Sequence, residues 1–212
     1  MIEILIIAAA FIVLFRHLAG TEPSTVAHIA PRKIPQRLQQ MSDYADRLYG
    51  EKKWLAAEKA YLQVLKVDHK NITAYSHLGI IYSTQKNMPD AIECFAIAAR
   101  IHPSAVTFQN LGLAYYDNRN FVKSIAAFEK AIMFEPSVHR YVGLSKAQSK
   151  LHNAAGAAEA LERAARLDPS PKLFTQLADA YTQAGRKDDA AAMLAKAKEP
   201  AAMTTEPVQA QP

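Results

Sequence analysis

The sequence holds side chains able to do covalent or metal chemistry, but it never arranges them for it. None of the seven histidines stands at a metal-ligand spacing, no CxxC pair occurs, and no glycine-rich loop is built to cradle phosphate. Cys94 is the single cysteine, so no intramolecular disulfide is open to the chain, and it reads as a small core residue within a helix. Catalytic, cofactor-binding and metal-binding roles therefore have no candidate residues, and no small-molecule substrate is expected. The chemistry that remains is non-covalent recognition. Tyr49, Tyr116, Gln109 and Asn110 can hold an extended or helical peptide by stacking and by hydrogen bonds to its backbone. Lys146, Lys150 and Lys172 can meet acidic side chains or a carboxylate, and His77 completes the candidate set.

These residues are spread over more than a hundred positions, so something must bring them to one wall. Residues 72–104 show what it is. With Ile72 as the first place, Tyr75 stands fourth, Leu78 and Gly79 seventh and eighth, Tyr82 eleventh, Ala91 twentieth, Phe95 twenty-fourth, Ala98 twenty-seventh and Pro103 thirty-second. The skeleton recurs from Ala105 with Phe108, Leu111, Gly112, Tyr115, Phe128, Ala131 and Pro136, Ser124 replacing Ala at the twentieth place. It recurs from Val138 with Tyr141, Leu144, Ser145, Ala157, Leu161, Ala164 and Pro169, and Gln148 stands where an aromatic is expected. From Pro171 come Phe174, Leu177, Ala178, Tyr181, Ala190, Leu194 and Ala197. The unit from Leu38 is the most degenerate, with Met41, Tyr44, Ala45, Leu48, Ala57, Tyr61 and Val64.

This skeleton resembles the tetratricopeptide repeat (TPR). The resemblance implies an all-α fold, a right-handed solenoid of about five helix-turn-helix units at 38–71, 72–104, 105–137, 138–170 and 171–200. The small residues at the eighth, twentieth and twenty-seventh places fit where helices cross closely. Gly79 and Gly112 need such a reason, since glycine inside a helix costs about 1 kcal/mol relative to alanine. In the family the concave face is lined by the first helix of each unit, and carrying the register over places Tyr49, His77, Gln109, Asn110, Tyr116, Lys146, Lys150 and Lys172 there. The implied function is a scaffold that binds a protein or peptide in that groove. The Lys- and Asn-based carboxylate clamp of some TPR co-chaperones is absent: the matching places hold Ser42, Asp46, His77, Val106 and Asn110.

Ahead of the repeats, residues 1–15 are apolar apart from Glu3. At 1.5 Å per residue they reach only about 22 Å against a hydrocarbon core of roughly 30 Å, and extension through residue 19, with Arg16 snorkelling, brings the span close to a thin bilayer. The expectation is an uncleaved anchor helix over 1–19, as in membrane-anchored TPR proteins; the alternatives are a soluble buried helix and a cleaved signal peptide, the latter disfavoured because Glu3 stands where positive charge is usual. Arg16, Arg32, Lys33 and Arg37 all follow the apolar run, which predicts the N-terminus outside and the repeats in the cytoplasm. Residues 20–37, with Pro23, Pro31 and Pro35, read as a flexible tether, and 201–212 as a disordered tail. The formal charge of +5 is concentrated near the anchor and intermixed with acids elsewhere, so no nucleic-acid partner is expected. Two other roles share this architecture: an exported assembly factor for an envelope or pilus complex, and a docking subunit of a larger membrane enzyme.

Overall fold

A computed structural model describes residues 35–198, where all regular structure is helical. Ten helices follow in order: α1 Gln36–Gly50, α2 Trp54–Val67, α3 Ile72–Thr84, α4 Met88–Ile101, α5 Ala105–Asp117, α6 Phe121–Phe134, α7 Val138–Lys150, α8 Ala154–Leu167, α9 Pro171–Gln183 and α10 Lys187–Lys198. The odd-numbered helices are the first helices of five units. The expected anchor over 1–19 and the tail over 201–212 lie outside the described residues. The tether expected through residue 37 ends sooner, because α1 already begins at Gln36, directly after Pro35; proline is tolerated at a helix start and not further in. Among the described residues no helix is long and apolar enough to cross a membrane.

Short polar side chains start five of these ten helices by accepting from backbone N–H groups that have no partner within the helix. Asn71 accepts from the Ala74 N–H at 2.9 Å, and Ser137 caps α7 through Arg140 in the same way. Ser104 and Thr107 cap each other's backbone N–H reciprocally at the head of α5. Asn120 and Asn153 do the same for second helices α6 and α8.

The turn inside each unit repeats one backbone device. Lys52, Lys86, Arg119, His152 and Gly185 have φ between 58° and 77° and occupy the same place in their units. Such a left-handed residue lets the next N–H groups reach back to the carbonyls the first helix leaves free, as in Arg119 N–H to Tyr116 O and Asn120 N–H to Tyr115 O. Only the fifth unit uses glycine there.

The core is a row of contacts between rings and small residues. Tyr61, Phe95, Phe128 and Leu161, all at the twenty-fourth place, are buried, as are Ala57, Ala91, Ser124 and Ala157 at the twentieth. Ser124, the polar exception, donates its hydroxyl to the Gly112 carbonyl at 2.8 Å, which satisfies a buried polar group inside an otherwise apolar crossing. A Cβ on Gly79 would stand 2.7 Å from the Phe95 ring and one on Gly112 would stand 3.2 Å from Phe128, so the absent side chains are what let the second helices approach.

Candidate functional site

The face made by the first helices is organised junction by junction. At the first three junctions the twenty-fourth residue of one unit forms a floor, the ninth residue of the same unit one wall, and the sixth residue of the next unit the other. Position for position, the first three junctions carry Tyr61 with Asp46 and His77, Phe95 with Ile80 and Asn110, and Phe128 with Leu113 and Gly143. The frame is constant, but the three sets differ in chemistry.

The first junction is polar and closed. The Tyr61 hydroxyl lies 2.6 Å from Asp46 Oδ1 and 2.6 Å from His77 Nδ1. A phenol has one proton, and the carboxylate can only accept, so Tyr61 donates to Asp46 and His77 Nδ1–H donates to Tyr61. That assignment fixes the neutral tautomer and leaves Nε2 without a partner among the described residues. The imidazole stacks on Tyr49 with ring centroids 4.3 Å apart and planes at 19°, and Trp54 meets Tyr49 edge-on at 5.5 Å. Burial lowers the His77 pKa below its ordinary value, and the nearby Asp46 carboxylate opposes that shift. Burial, reinforced by the bond to Asp46, raises the Tyr61 pKa far above the usual phenol value.

The second junction is a shallow depression of about 280 Å³ bordered by Ile80, Ser83, Phe95 and Asn110. The third is wider, about 460 Å³, and continues across α5, α7 and α9. Gly143 opens it: a Cβ there would come within 2.5 Å of Phe128. Leu113, 46% exposed, offers the groove a half-uncovered aliphatic side chain. Gln109, His139, Lys146 and Lys172 supply the polar edge, with Asp168 as the one acidic residue lining it.

The eight residues picked from the sequence therefore fall into several places. Gln109, Lys146 and Lys172 share the third-junction groove, and Asn110 lines its neighbour. Tyr116 and Lys150 meet in a separate depression of about 430 Å³ beside Arg119 and Phe121, where Tyr116 packs edge-on against Phe121 at 5.5 Å. Tyr49 and His77 are engaged with each other and with Tyr61, so they form a structured end to the face, with much of their surface already in use. Sequence reasoning gave Asp46 and Leu113 no role on this face, named Tyr61 only as part of the repeat skeleton, and missed Gly143. The signal for Gly143 was present: the one glycine of α7 stands at the sixth place of its unit, off the eighth place where Gly79 and Gly112 stand. Among the described residues no group of three or more His, Cys, Asp or Glu side chains is placed to hold a metal ion.

Stacked two-helix units with small residues at the crossings and a first-helix groove define the class of helical-repeat interaction scaffolds. Family models described as tetratricopeptide repeat match residues 43–106 and 142–203, and a second such model matches 105–137. The chain belongs to the tetratricopeptide repeat family. Among solved structures it is similar to one of the MamA protein, at 24% identity over 76% of this chain and 89% of that one, with a TM-score of 0.70. MamA from Desulfovibrio magneticus RS-1 gives 14% identity, 77% and 94% coverage and a TM-score of 0.69. YrrB, described as a TPR protein with an unusual peptide-binding site, gives 18% identity, 74% and 82% coverage and a TM-score of 0.65. At these identities the likeness establishes the fold. No curated protein matches the sequence.

Proposed function

We propose that this protein is a membrane-tethered interaction scaffold that takes a peptide or a segment of a partner protein across its first-helix face, with the third-junction groove as the principal contact. The observation that carries the reading is the meeting of Gln109, Lys146 and Lys172 around an open groove in whose wall Leu113 is exposed. An amide edge suits a peptide backbone, a half-uncovered aliphatic suits an apolar anchor, and two lysines suit an acidic neighbour. The peptide-binding site described for YrrB, a protein of the same fold, agrees with this reading. Tethering rests on the apolar run at 1–15, and the cytoplasmic placement of the repeats on the charge that follows it. The reading gives the chain no catalytic role of its own.

The test is site-specific crosslinking in cells. A photoreactive residue at Gln109 should capture a defined partner, one at Glu93 on a second helix should not, and Lys146→Glu with Lys172→Glu should abolish the capture while leaving the melting curve in place. Equal capture from both sites, or capture indifferent to the double variant, would sink the groove assignment.

A further inference from the structure

Between α6, α7 and α8 lies a pocket of about 310 Å³ that shares no residue with the first-helix groove. Its origin is visible by comparing units. The eleventh residue of the first helix is Tyr82, Tyr115 and Tyr181 in the second, third and fifth units. The Tyr82 hydroxyl reaches Glu58 at 3.4 Å and that of Tyr181 reaches Glu162 at 2.7 Å, each acceptor lying on the second helix of the unit before. The nineteenth residue belongs to the same neighbourhood. Lys123 Nζ sits 5.6 Å from the Tyr115 ring centroid, and Asp189 holds Arg186, whose guanidinium lies 4.1 Å from the ring of Tyr181.

In the fourth unit both places are cut back, to Gln148 and Gly156. The space left is walled by Ile132, Tyr141 and Leu144, with Met133 at its border 84% exposed. Gln148 Oε1 is buried there without a hydrogen-bond partner. Glu129, which stands in the third unit where Glu162 stands in the fourth, also borders the pocket and makes no ion pair among the described residues, whereas the adjoining Glu159 is held by Arg163 at 2.9 Å. The pocket thus keeps the acceptor of a tyrosine site and has lost the tyrosine.

We propose that this pocket is a docking site for a tyrosine presented by a partner protein, the ring filling the place that Tyr82 and Tyr181 fill from within and the hydroxyl donating to Glu129 as Tyr181 donates to Glu162. Two features select the occupant. The exposed carboxylate and the buried, unpartnered amide oxygen are both acceptors, so a ring carrying a donor is favoured over phenylalanine, because covering an acceptor without meeting it is costly. The unpaired charge of Glu129 favours a basic residue beside that tyrosine. Met133 adds a polarizable thioether at the edge of the ring.

The experiment titrates the full-length protein in mild detergent, with 13C-labelled methionine and isoleucine methyl groups, against N-acetyl-tyrosinamide, N-acetyl-phenylalaninamide and N-acetyl-leucinamide. Two tripeptides, acetyl-Lys-Tyr-Lys-amide and acetyl-Glu-Tyr-Glu-amide, follow. The methyl signals of Met133 and Ile132 should shift upfield and saturate, most readily with the tyrosine amide and least with the leucine amide, and the lysine-flanked peptide should bind several-fold more tightly than its acidic counterpart. Gln148→Tyr should fill the slot from within, raising the melting temperature and removing the shifts. Glu129→Gln, an exposed change without folding consequences, should bring the two tripeptides to equal affinity. Equal responses to the tyrosine and leucine amides, a full response in Gln148→Tyr, or a tripeptide preference that survives Glu129→Gln would overturn the assignment.

Discussion

Gly143 and Phe128 meet so closely that a Cβ on the glycine would stand 2.5 Å from the ring, whereas the same atom on Gly112 would stand 3.2 Å from it. One buried ring is thus gripped by glycines from its own unit and from the next, and only the second grip leaves no room at all.

The two glycines should answer substitution differently. Gly112→Ala asks the ring to shift by a few tenths of an ångström and gains about 1 kcal/mol of helix propensity, so its stability should stay near the parent's. Gly143→Ala should cost about 1–3 kcal/mol through overpacking. Urea melts of the two variants decide it, and equal midpoints would remove the packing argument.

Stability should fall as the medium is acidified through the imidazole range. Burial lowers the pKa of His77 in the folded state, so between that pKa and the ordinary value of about 6.5 the unfolded chain binds more protons than the folded one. The contribution of neutral His77 is then complete above about pH 6.5 and is lost progressively below it, flattening once the folded-state pKa is passed. His77→Gln should remove that slope from melts taken between about pH 7.5 and pH 5. A slope unchanged in the variant would assign it to other groups.

The left-handed turn residues give a conformational test free of contacts. A Cβ on Gly185, where φ is 77°, would meet nothing within 4 Å. Gly185→Ala should nonetheless cost about 1 kcal/mol, the left-handed penalty partly offset by a less flexible unfolded chain. Arg119→Gly, at φ 59°, should go the other way by a similar or smaller amount. Thermal melts of the pair should move in opposite directions; movement in the same direction would mean that the turn conformation is not what matters.

The proposed topology rests on the basic residues behind the apolar run. A reporter active only in the cytoplasm should work when fused after Pro212, and moving the positive charges of Arg16, Arg32 and Lys33 ahead of residue 1 should reverse the result. Activity of an export-only reporter at the same fusion point would favour the exported assembly role instead.

The repeat was legible because it is written in residues whose size alone matters: Gly79, Ala91 and Phe95 recur at fixed places, and a crossing tolerates little else. The site was legible only as a face. Register tells which residues look toward the groove, but Tyr61 bonds to Asp46 and His77 across three helices, and no local pattern records a contact of that range. Gln148 was visible as a departure from the skeleton, yet the pocket it leaves also depends on Gly156 and Glu129, one on a different helix of the same unit and one in the unit before. Lys150 and Lys146, four residues apart on one helix, looked like a single charged patch and line different depressions, because the ends of α7 face different neighbours.

The fit of Phe128 under Gly143 also bears on how this surface can change over generations. Any side chain at 143 would narrow the groove, and the same side chain would disturb a ring that is 1% exposed and shared by two units. A lineage therefore cannot close the groove by drift at that position without first weakening its fold, even during periods when nothing is bound there. Leu113, Lys146 and Lys172 carry no such penalty, so partner preference is free to be rewritten at the rim while selection for foldedness alone keeps the opening in place.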